Sequence, residues 1–238
     1  MVEQSVIDAI RQHASQEYPR EACGLIVIRH GRQRYFPCQN VAQGNDHFII
    51  SGRDYARIAD LHEITYIVHS HPDEAAQLSE ADRLQAEQHG VQWLVYSYPE
   101  GYFVEHTPDS YIPPLVGRTF EHGITDCYSL VCDYYRRTLQ LELPPFVRED
   151  EWWKYGQNLY LENFEKAGFV EIPLSELRKH DALLMQIRSP VPNHAAIYLD
   201  DDLILHHLYG MLSSRDAYSA LFRTATVKAV RHRSLFHA

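Results

Sequence analysis

The stretch His69-Ser70-His71-Pro72, with Ser79 and Asp82 shortly after it, decides how the first half of this 238-residue chain is interpreted. Two histidines one residue apart on a strand point to the same face, because strand side chains alternate. Ser79 and Asp82 begin a segment without Gly or Pro, so a helix there would present both on one face. Two imidazoles and one carboxylate leave a fourth zinc position open for water, which is typical of a catalytic site. We therefore predict a zinc site formed by His69, His71 and Asp82.

This pattern resembles the signature of the JAMM (MPN) metalloprotease family, in which His-x-His-Pro is followed after six residues by Ser-x-x-Asp. Every position of the motif is matched. The resemblance implies a mixed sheet with flanking helices, and it implies that an upstream glutamate acts as general base. Glu21 lies where that glutamate is required. The chemistry is consistent, because Glu21 can take a proton from a zinc-bound water and Ser79 can donate to the developing oxyanion.

Composition and charge exclude several classes of protein. A hydrophobic content of 45% with 12% aromatic residues excludes a disordered chain. There is no run of eighteen apolar residues and no signal-peptide pattern at the N-terminus, so we expect no membrane anchor. The net charge is −10, and residues 1–110 carry sixteen acidic residues against eight arginines, which argues against nucleic acid as a partner. The four cysteines are too few for a disulfide framework and are expected to be thiols.

The pattern of helices and strands restarts near the middle of the chain. Thr107-Pro108-Asp109-Ser110 and Pro113-Pro114 predict a linker over residues 109–114. We therefore expect an α+β protein with two domains, at residues 1–108 and 115–238. Apolar spacing further predicts helices over residues 54–63 and 159–167.

A possible nucleophile lies at the start of a predicted helix in the second domain. Thr125 or Asp126 can cap this helix, which leaves Cys127 in its first turn. There the helix dipole and the free backbone N–H groups lower the pKa of a thiol and can hold an oxyanion. His194, at the start of a predicted strand, is the best candidate for the base.

The strand that returns after three aspartates carries both His206 and His207. Neighbours on a strand point in opposite directions, so one of the two shares a face with His194. A three-residue loop selects His206 and a two-residue loop selects His207. The residues alone leave both possibilities open.

Gly-x-x-Asp-Cys, a His-x-x-Ile-Tyr about seventy residues later and a further His twelve residues on resemble the NlpC family of papain-like cell-wall peptidases. The resemblance implies a Cys-bearing helix packed on an antiparallel sheet. It assigns Cys127 as nucleophile, His194 as base and His206 as the group that orients the imidazole. It also implies cleavage of peptidoglycan stem peptides, typically next to diaminopimelate. The chain departs from the family at two places. Tyr128-Ser129 stands where Ser-Gly is usual, and His180-Asp181 stands where Gly-Asp is usual. The larger side chain of Tyr128 could narrow the substrate groove.

The order of the two domains is similar to that in a family of tail-tip proteins of lambda-like bacteriophages. The likeness extends to residues 114–118, 151–153 and 193–198. It implies wall digestion during infection, assembly of the tip, or both. The expected partners are peptidoglycan stem peptides and other tail tip proteins. The expected locations are the host cytoplasm during assembly and then the virion tail tip.

Two other functions fit part of the pattern. In the first, the protein is a structural tail-tip component in which one or both sites are inactive. In the second, the JAMM half is an isopeptidase that removes a protein tag.

An aromatic run in the second domain is expected to pack in the core, with a sugar-stacking platform as the alternative: Trp152, Trp153, Tyr155, Tyr160 and Phe164.

Overall fold

A computed structural model describes residues 2–237. The chain divides into two compact units, Met1–Ile112 and Pro113–Ala238. All four cysteines are free thiols, as expected. Within the described residues, no helix has the length and apolar character needed to cross a membrane.

The first unit is a five-stranded sheet with three helices. Its elements are α1 (Gln4–Glu17), β1 (Cys23–Arg29), β2 (Arg32–Cys38), α2 (Gly52–Ala59), β3 (Ile64–Pro72), α3 (Glu80–His89), β4 (Gln92–Tyr98) and β5 (Phe103–His106). The strand order is β2-β1-β3-β4-β5. Strands β3 and β4 are parallel and the other neighbours are antiparallel, so the sheet is mixed.

Side chains of the central strands point alternately to the two faces of this sheet, and each face carries a hydrophobic core. On one face α1 buries Val6, Ile10 and Ala14 against Ile26 and Val68. The opposite face holds a second cluster drawn from the strands, α2 and α3: Cys23, Leu25, Val27, Cys38, Ile58, Ile67, Ala86 and Trp93. The sheet is therefore covered on both sides, and β3 is buried along most of its length.

The second unit is a six-stranded antiparallel sheet with short helices. Its elements are α4 (Cys127–Tyr134), a π-helical turn (Tyr135–Leu139), a 3-10 turn (Trp152–Tyr155), α5 (Leu159–Asn163), β6 (Phe169–Ile172), β7 (Ala182–Met185), β8 (His194–Tyr198), β9 (Leu203–His206), β10 (Ser214–Ala217), α6 (Ala220–Ala225) and β11 (Thr226–His232), with 3-10 turns at Leu174–Glu176 and Arg233–His237. The strand order is β10-β9-β8-β7-β11-β6.

Helix α4 packs on β8, so the helix that begins at Cys127 lies against the strand that begins at His194. Leu130 and Val131 of the helix join Ala195 and Ile197 of the strand in one buried cluster. Two α+β domains, one with a mixed sheet and one with a Cys-bearing helix on an antiparallel sheet, confirm the predicted fold class.

Two helices are shorter than the apolar spacing predicts. Helix α2 ends at Ala59, and a turn follows in which the N–H groups of Leu61 and His62 both bond to the carbonyl of Ile58. Helix α5 ends at Asn163, and residues 164–167 form hydrogen-bonded turns before β6. The predicted bounds of 54–63 and 159–167 were therefore wrong at their C-terminal ends.

Candidate functional sites

Three ligand atoms converge at the end of β3. Nε2 of His69 lies 2.9 Å from Nε2 of His71. The Oδ2 atom of Asp82, from the first turn of α3, lies 3.5 Å from the His69 nitrogen and 3.8 Å from the His71 nitrogen. With metal–ligand distances of about 2.0–2.1 Å, neighbouring ligands of a tetrahedral zinc are about 3.4 Å apart. The three side chains therefore have the chemistry and the spacing to hold one zinc ion with a fourth position left over.

The two imidazoles are held by different neighbours. Nδ1 of His71 lies 2.9 Å from the carbonyl oxygen of Ala75, so it is the N–H donor and its Nε2 offers a lone pair to the site. His69 is buried between two aromatic side chains. Its ring stacks on that of Phe48, with 4.6 Å between the ring centroids, and meets Trp93 edge-on. Its Nδ1 is buried and has no hydrogen-bond partner among the described residues. Packing, rather than a hydrogen bond at Nδ1, holds this ring in place.

A capping box holds Asp82 toward the histidines. The Ser79 hydroxyl accepts from the Asp82 N–H at 3.0 Å, and the Asp82 carboxylate accepts from the Ser79 N–H at 2.9 Å. Burial acts to raise the pKa of Asp82, but His69 and the bonds from Ser79 outweigh it and hold that pKa at about 2. The carboxylate is therefore ionised and available as a ligand. Both the backbone N–H and the side chain of Ser79 contribute to the lowered pKa of Asp82.

Glu21 lies beside these ligands because of the register between β1 and β3. Cys23 pairs with His69, and the Ser70 N–H bonds to the carbonyl of Ala22, so Glu21, just before β1, lies near enough to His69 and Asp82 to interact with their charges. Burial raises the pKa of Glu21 to about 7, with His69 acting in the opposite direction. A carboxyl group with this pKa can both accept and release a proton near neutral pH.

In the second unit, Cys127 is the first residue of α4. Asp126 caps the helix by accepting from the Ser129 N–H at 2.9 Å. The buried guanidinium of Arg148 donates to both carboxylate oxygens of Asp126, at 2.9 and 3.0 Å. Of the two caps that the sequence allowed, Asp126 is the one used. Thr125 instead donates to the carbonyl of Thr119.

The thiol of Cys127 is buried and lies 3.1 Å from the hydroxyl of Tyr160. Burial raises the pKa of Cys127 to about 11, partly offset by hydrogen bonding from Tyr160 and from the Ala195 backbone. The dipole of α4 therefore does not give a thiolate at rest, contrary to the lowered pKa expected from the sequence. The resting group is a thiol next to β8.

His194 lies at the start of β8, directly before Ala195, and is 4% exposed. Its Nε2 lies 3.3 Å from Nδ1 of His206. Burial, reinforced by the nearby imidazoles of His206 and His207, lowers the pKa of His194 to about 3. The imidazole is therefore neutral at neutral pH, with one N–H and one nitrogen lone pair.

The β8–β9 loop places His206, and not His207, against His194. Leu199 and Leu203 bond across a three-residue turn, and Ala196 pairs with His206. His207 packs edge-on against Phe120, and its Nε2 lies 3.0 Å from the carbonyl of Met211.

Three features beside the thiol site were not foreseen. Nε2 of His206 lies 2.7 Å from Oδ2 of Asp216 on β10, a residue that no sequence pattern indicated. Tyr160, expected in the core, meets the nucleophile candidate. Tyr128 is buried and bonds to the carbonyl of Pro144, so it occupies the interior and not an open groove.

Of the remaining aromatic run, Trp152 is buried, whereas Tyr155 is 68% exposed. The second departure from the family pattern also has a structural counterpart. His180 has a φ of 76°, in the region that favours glycine, and its Nδ1 lies 2.7 Å from the Tyr134 hydroxyl. Asp181, which follows it, is fully buried and bonded twice to Arg231.

Comparison with known families gives both units a class. Residues 3–107 match the family described as prokaryotic homologs of the JAB domain, and residues 117–231 match the NlpC/P60 family. The protein is therefore a JAB-type domain followed by an NlpC/P60 domain.

Two curated relatives show the particular family. The chain is 38% identical over 235 residues to tail tip assembly protein K of Escherichia phage N15, covering 98% of this chain and 96% of the relative. It is 43% identical over 186 residues to tail tip assembly protein K of Escherichia phage lambda, covering 78% of this chain and 90% of the relative. The chain belongs to the tail tip assembly protein K family.

One of the similar solved structures is an NLP/P60-family protein, similar to a lipoprotein, from Staphylococcus aureus. It has a TM-score of 0.35 and 12% identity, and the match covers 94% of this chain and 61% of that chain.

Proposed function

We propose that this protein is a tail component with two hydrolytic sites. The domain at 115–238 is a thiol endopeptidase that cleaves peptidoglycan stem peptides, and the domain at 1–108 is a zinc-dependent hydrolase. Residues 109–114 form the linker. The observation that carries the proposal is the contact between His194 and His206 on the strands beside the helix that begins at Cys127. Family membership supports a role in the tail.

The thiol site performs acyl transfer in two halves. The sulfur of Cys127 attacks the carbonyl carbon of the peptide bond while His194 takes the thiol proton. The tetrahedral intermediate collapses to a thioester, and His194 returns that proton to the departing amine. Water then attacks the thioester with His194 again as base, which releases the carboxylic acid and restores the thiol. His206 holds the imidazole during both halves.

The negative charge on the oxygen of the tetrahedral intermediate is stabilised by hydrogen-bond donors that are already in place before the reaction. The backbone N–H of Cys127 is at the N-terminus of α4, where the first turn has no internal acceptors for its N–H groups. The positive end of the helix dipole adds to the stabilisation of an oxyanion there. Tyr160, within reach of the sulfur, can donate to a thiolate or to the oxyanion.

In the first domain, His69, His71 and Asp82 would hold zinc. When bound, the metal supplies a Lewis acid that lowers the pKa of a coordinated water. Glu21 would accept a proton from the attacking water and pass it to the leaving group. Ser79 donates its hydroxyl hydrogen to the oxygen on which charge develops. The substrate of this domain is a peptide or isopeptide bond, and processing within the tail tip is our hypothesis for its use.

The expected setting follows from the family. The protein works with other tail tip proteins, is made in the host cytoplasm during assembly, and reaches the virion tail tip. Wall digestion there would allow genome entry through the peptidoglycan.

Mass spectrometry of products from purified diaminopimelate-type peptidoglycan tests the division of labour. Wild type, Cys127→Ala and Glu21→Ala proteins are compared at equal concentration. Stem peptides that are lost with Cys127→Ala and kept with Glu21→Ala support the proposal and identify the bond. Loss with Glu21→Ala and not with Cys127→Ala would assign wall hydrolysis to the metal domain. Absence of products from all three would favour a structural role in the tip.

A further inference from the structure

Asp216 extends the thiol site beyond its two histidines. It lies on β10, which pairs with β9, so its side chain reaches His206 from the neighbouring strand. Its Oδ2 atom lies 2.7 Å from Nε2 of His206 and accepts from the Ser214 hydroxyl at 2.8 Å. Hydrogen bonds from His206 and Ser214 hold the pKa of Asp216 below its ordinary value. An ionised carboxylate therefore faces the far side of the His206 ring.

The direction of the hydrogen bonds follows from this carboxylate. An ionised carboxylate is an acceptor only, so Nε2 of His206 carries the hydrogen. A neutral imidazole has one N–H, so Nδ1 of His206 is left as an acceptor. That atom lies 3.3 Å from Nε2 of His194, which must therefore be the donor. The remaining nitrogen of His194, Nδ1, then has the free lone pair that a base needs.

We propose that Asp216 is a positioning residue that sets the tautomer of both imidazoles. It fixes the hydrogen on Nε2 of His206, and through His206 it fixes the hydrogen on Nε2 of His194. This inference rests on the proposed thiol peptidase. Without the carboxylate, His206 can also carry its hydrogen on Nδ1. In that state Nδ1 of His206 donates toward His194, whose own hydrogen then moves to the nitrogen needed as base.

The side chain of Asp216 is about half exposed, at 48%, so its replacement leaves the core intact. Asp216→Ala removes the acceptor, and Asp216→Asn keeps an acceptor oxygen without the charge. A matched control is Asp202→Ala, which removes another exposed carboxylate, in the turn between β8 and β9, that bonds to Tyr198 and Arg223. Circular dichroism verifies that each variant is folded.

Two measurements on the full chain test the proposal without relying on a wall substrate. The first is long-range ¹H–¹⁵N correlation of the histidine side chains at pH 8.5, where an imidazole of ordinary pKa, about 6.5, is neutral. His194→Gln and His206→Gln proteins assign the signals. The second is the rate at which iodoacetamide alkylates Cys127, measured by peptide mass spectrometry with Cys132 as internal reference.

We expect single Nε2–H tautomers for His194 and His206 in wild type and in Asp202→Ala. Asp216→Ala should give a mixture of tautomers and slow the alkylation of Cys127 about tenfold to 100-fold, with Asp216→Asn between the two. An Nδ1–H tautomer in wild type, unchanged tautomers in Asp216→Ala, or changed tautomers without slower alkylation would each overturn the proposal. If the wall assay shows no thiol peptidase activity, the tautomer result still stands by itself, so the two failures are distinguishable.

Discussion

The sulfur of Cys127 lies 3.1 Å from the hydroxyl oxygen of Tyr160, although 33 residues separate them in the chain. A thiolate can only accept a hydrogen bond, so the tyrosine must be the donor once the thiol is ionised. Burial raises the pKa of Cys127 to about 11, and the Tyr160 hydroxyl acts against that increase. The Tyr160 hydroxyl therefore favours the ionised form of Cys127.

Tyr160→Phe tests this role with little change in packing, because the ring is kept. The donor is lost, so the pKa of Cys127 rises further and less thiolate is present at any pH below it. The pH profile of iodoacetamide alkylation should move to higher pH, with slower reaction at pH 9 and convergence of the two rates well above pH 11. Tyr155→Phe, at an exposed position, should leave the profile unchanged. A profile that is unchanged or moved to lower pH in Tyr160→Phe would contradict the role.

Zinc binding by the first domain is tested by metal content and thermal unfolding. We expect about one zinc per chain after dialysis against trace zinc, falling to background in His69→Ala. Binding to the folded state alone stabilises it by about 2.7 kcal/mol at a free metal concentration of 100 times Kd. Chelation should therefore lower the Tm of the wild type and leave the Tm of His69→Ala unchanged. His30→Ala, on the exposed β1–β2 turn, is the control and should bind zinc normally. Equal zinc content in all three proteins would argue against this site.

The two adjacent histidines of β9 should differ in their effect on catalysis. His206→Ala removes the partner of His194, and we expect kcat on stem peptides to fall about 10²-fold with a smaller change in KM. His207→Gln keeps a donor for the carbonyl of Met211, so kcat should stay within about threefold of wild type. Steady-state kinetics on a purified stem peptide measures both. A greater loss of kcat in His207→Gln would reverse the assignment.

Local rules predicted that His69, His71 and Asp82 would come together, because these residues are close in sequence. Strand alternation places His69 and His71 on one face, and helical spacing places Asp82 beside the Ser79 cap. For the neighbour of His194 the residues left two alternatives, and with the three-residue turn before β9 it is His206 that lies beside His194.

The site neighbours that the sequence did not predict, Asp216 and Tyr160, are brought to the site by contacts between segments that are distant in the chain. Asp216 reaches His206 through the register of β10 with β9, and a lone aspartate in a short polar strand carries no motif. The spacing of Tyr160 from the other aromatic residues of its segment is the spacing expected of core aromatics. Nothing in that spacing indicates that its hydroxyl would meet Cys127. The pKa of Cys127 was predicted in the wrong direction because the helix dipole can be argued from sequence, whereas the opposing burial cannot.

Gly24 lies on β1, where the backbone packs closely against β2. A Cβ atom there would lie 2.6 Å from the backbone oxygen of Phe36 and 2.5 Å from the ring of Tyr35, on the neighbouring strand. The oxygen cannot withdraw without breaking the β1–β2 ladder, so Gly24→Ala should destabilise the first unit by about 1–3 kcal/mol. Gly52→Ala is the matched control, since a Cβ at this helical position meets nothing within 4 Å.

Urea unfolding followed by hydrogen-exchange mass spectrometry separates the two units in the intact chain. Peptides from β1 and β3 should exchange at lower urea in Gly24→Ala, while peptides from β8 and β9 should match the wild type. Gly52→Ala should be neutral or more stable by about 0.5–1 kcal/mol, because alanine is favoured over glycine in a helix. Because Glu21 depends on the register of β1 for its place near His69 and Asp82, Gly24→Ala should also lower zinc-dependent hydrolysis while leaving thiol alkylation unchanged. Unaltered exchange in β1 would mean that β2 can move away from β1, and that the position of Glu21 does not depend on this close contact.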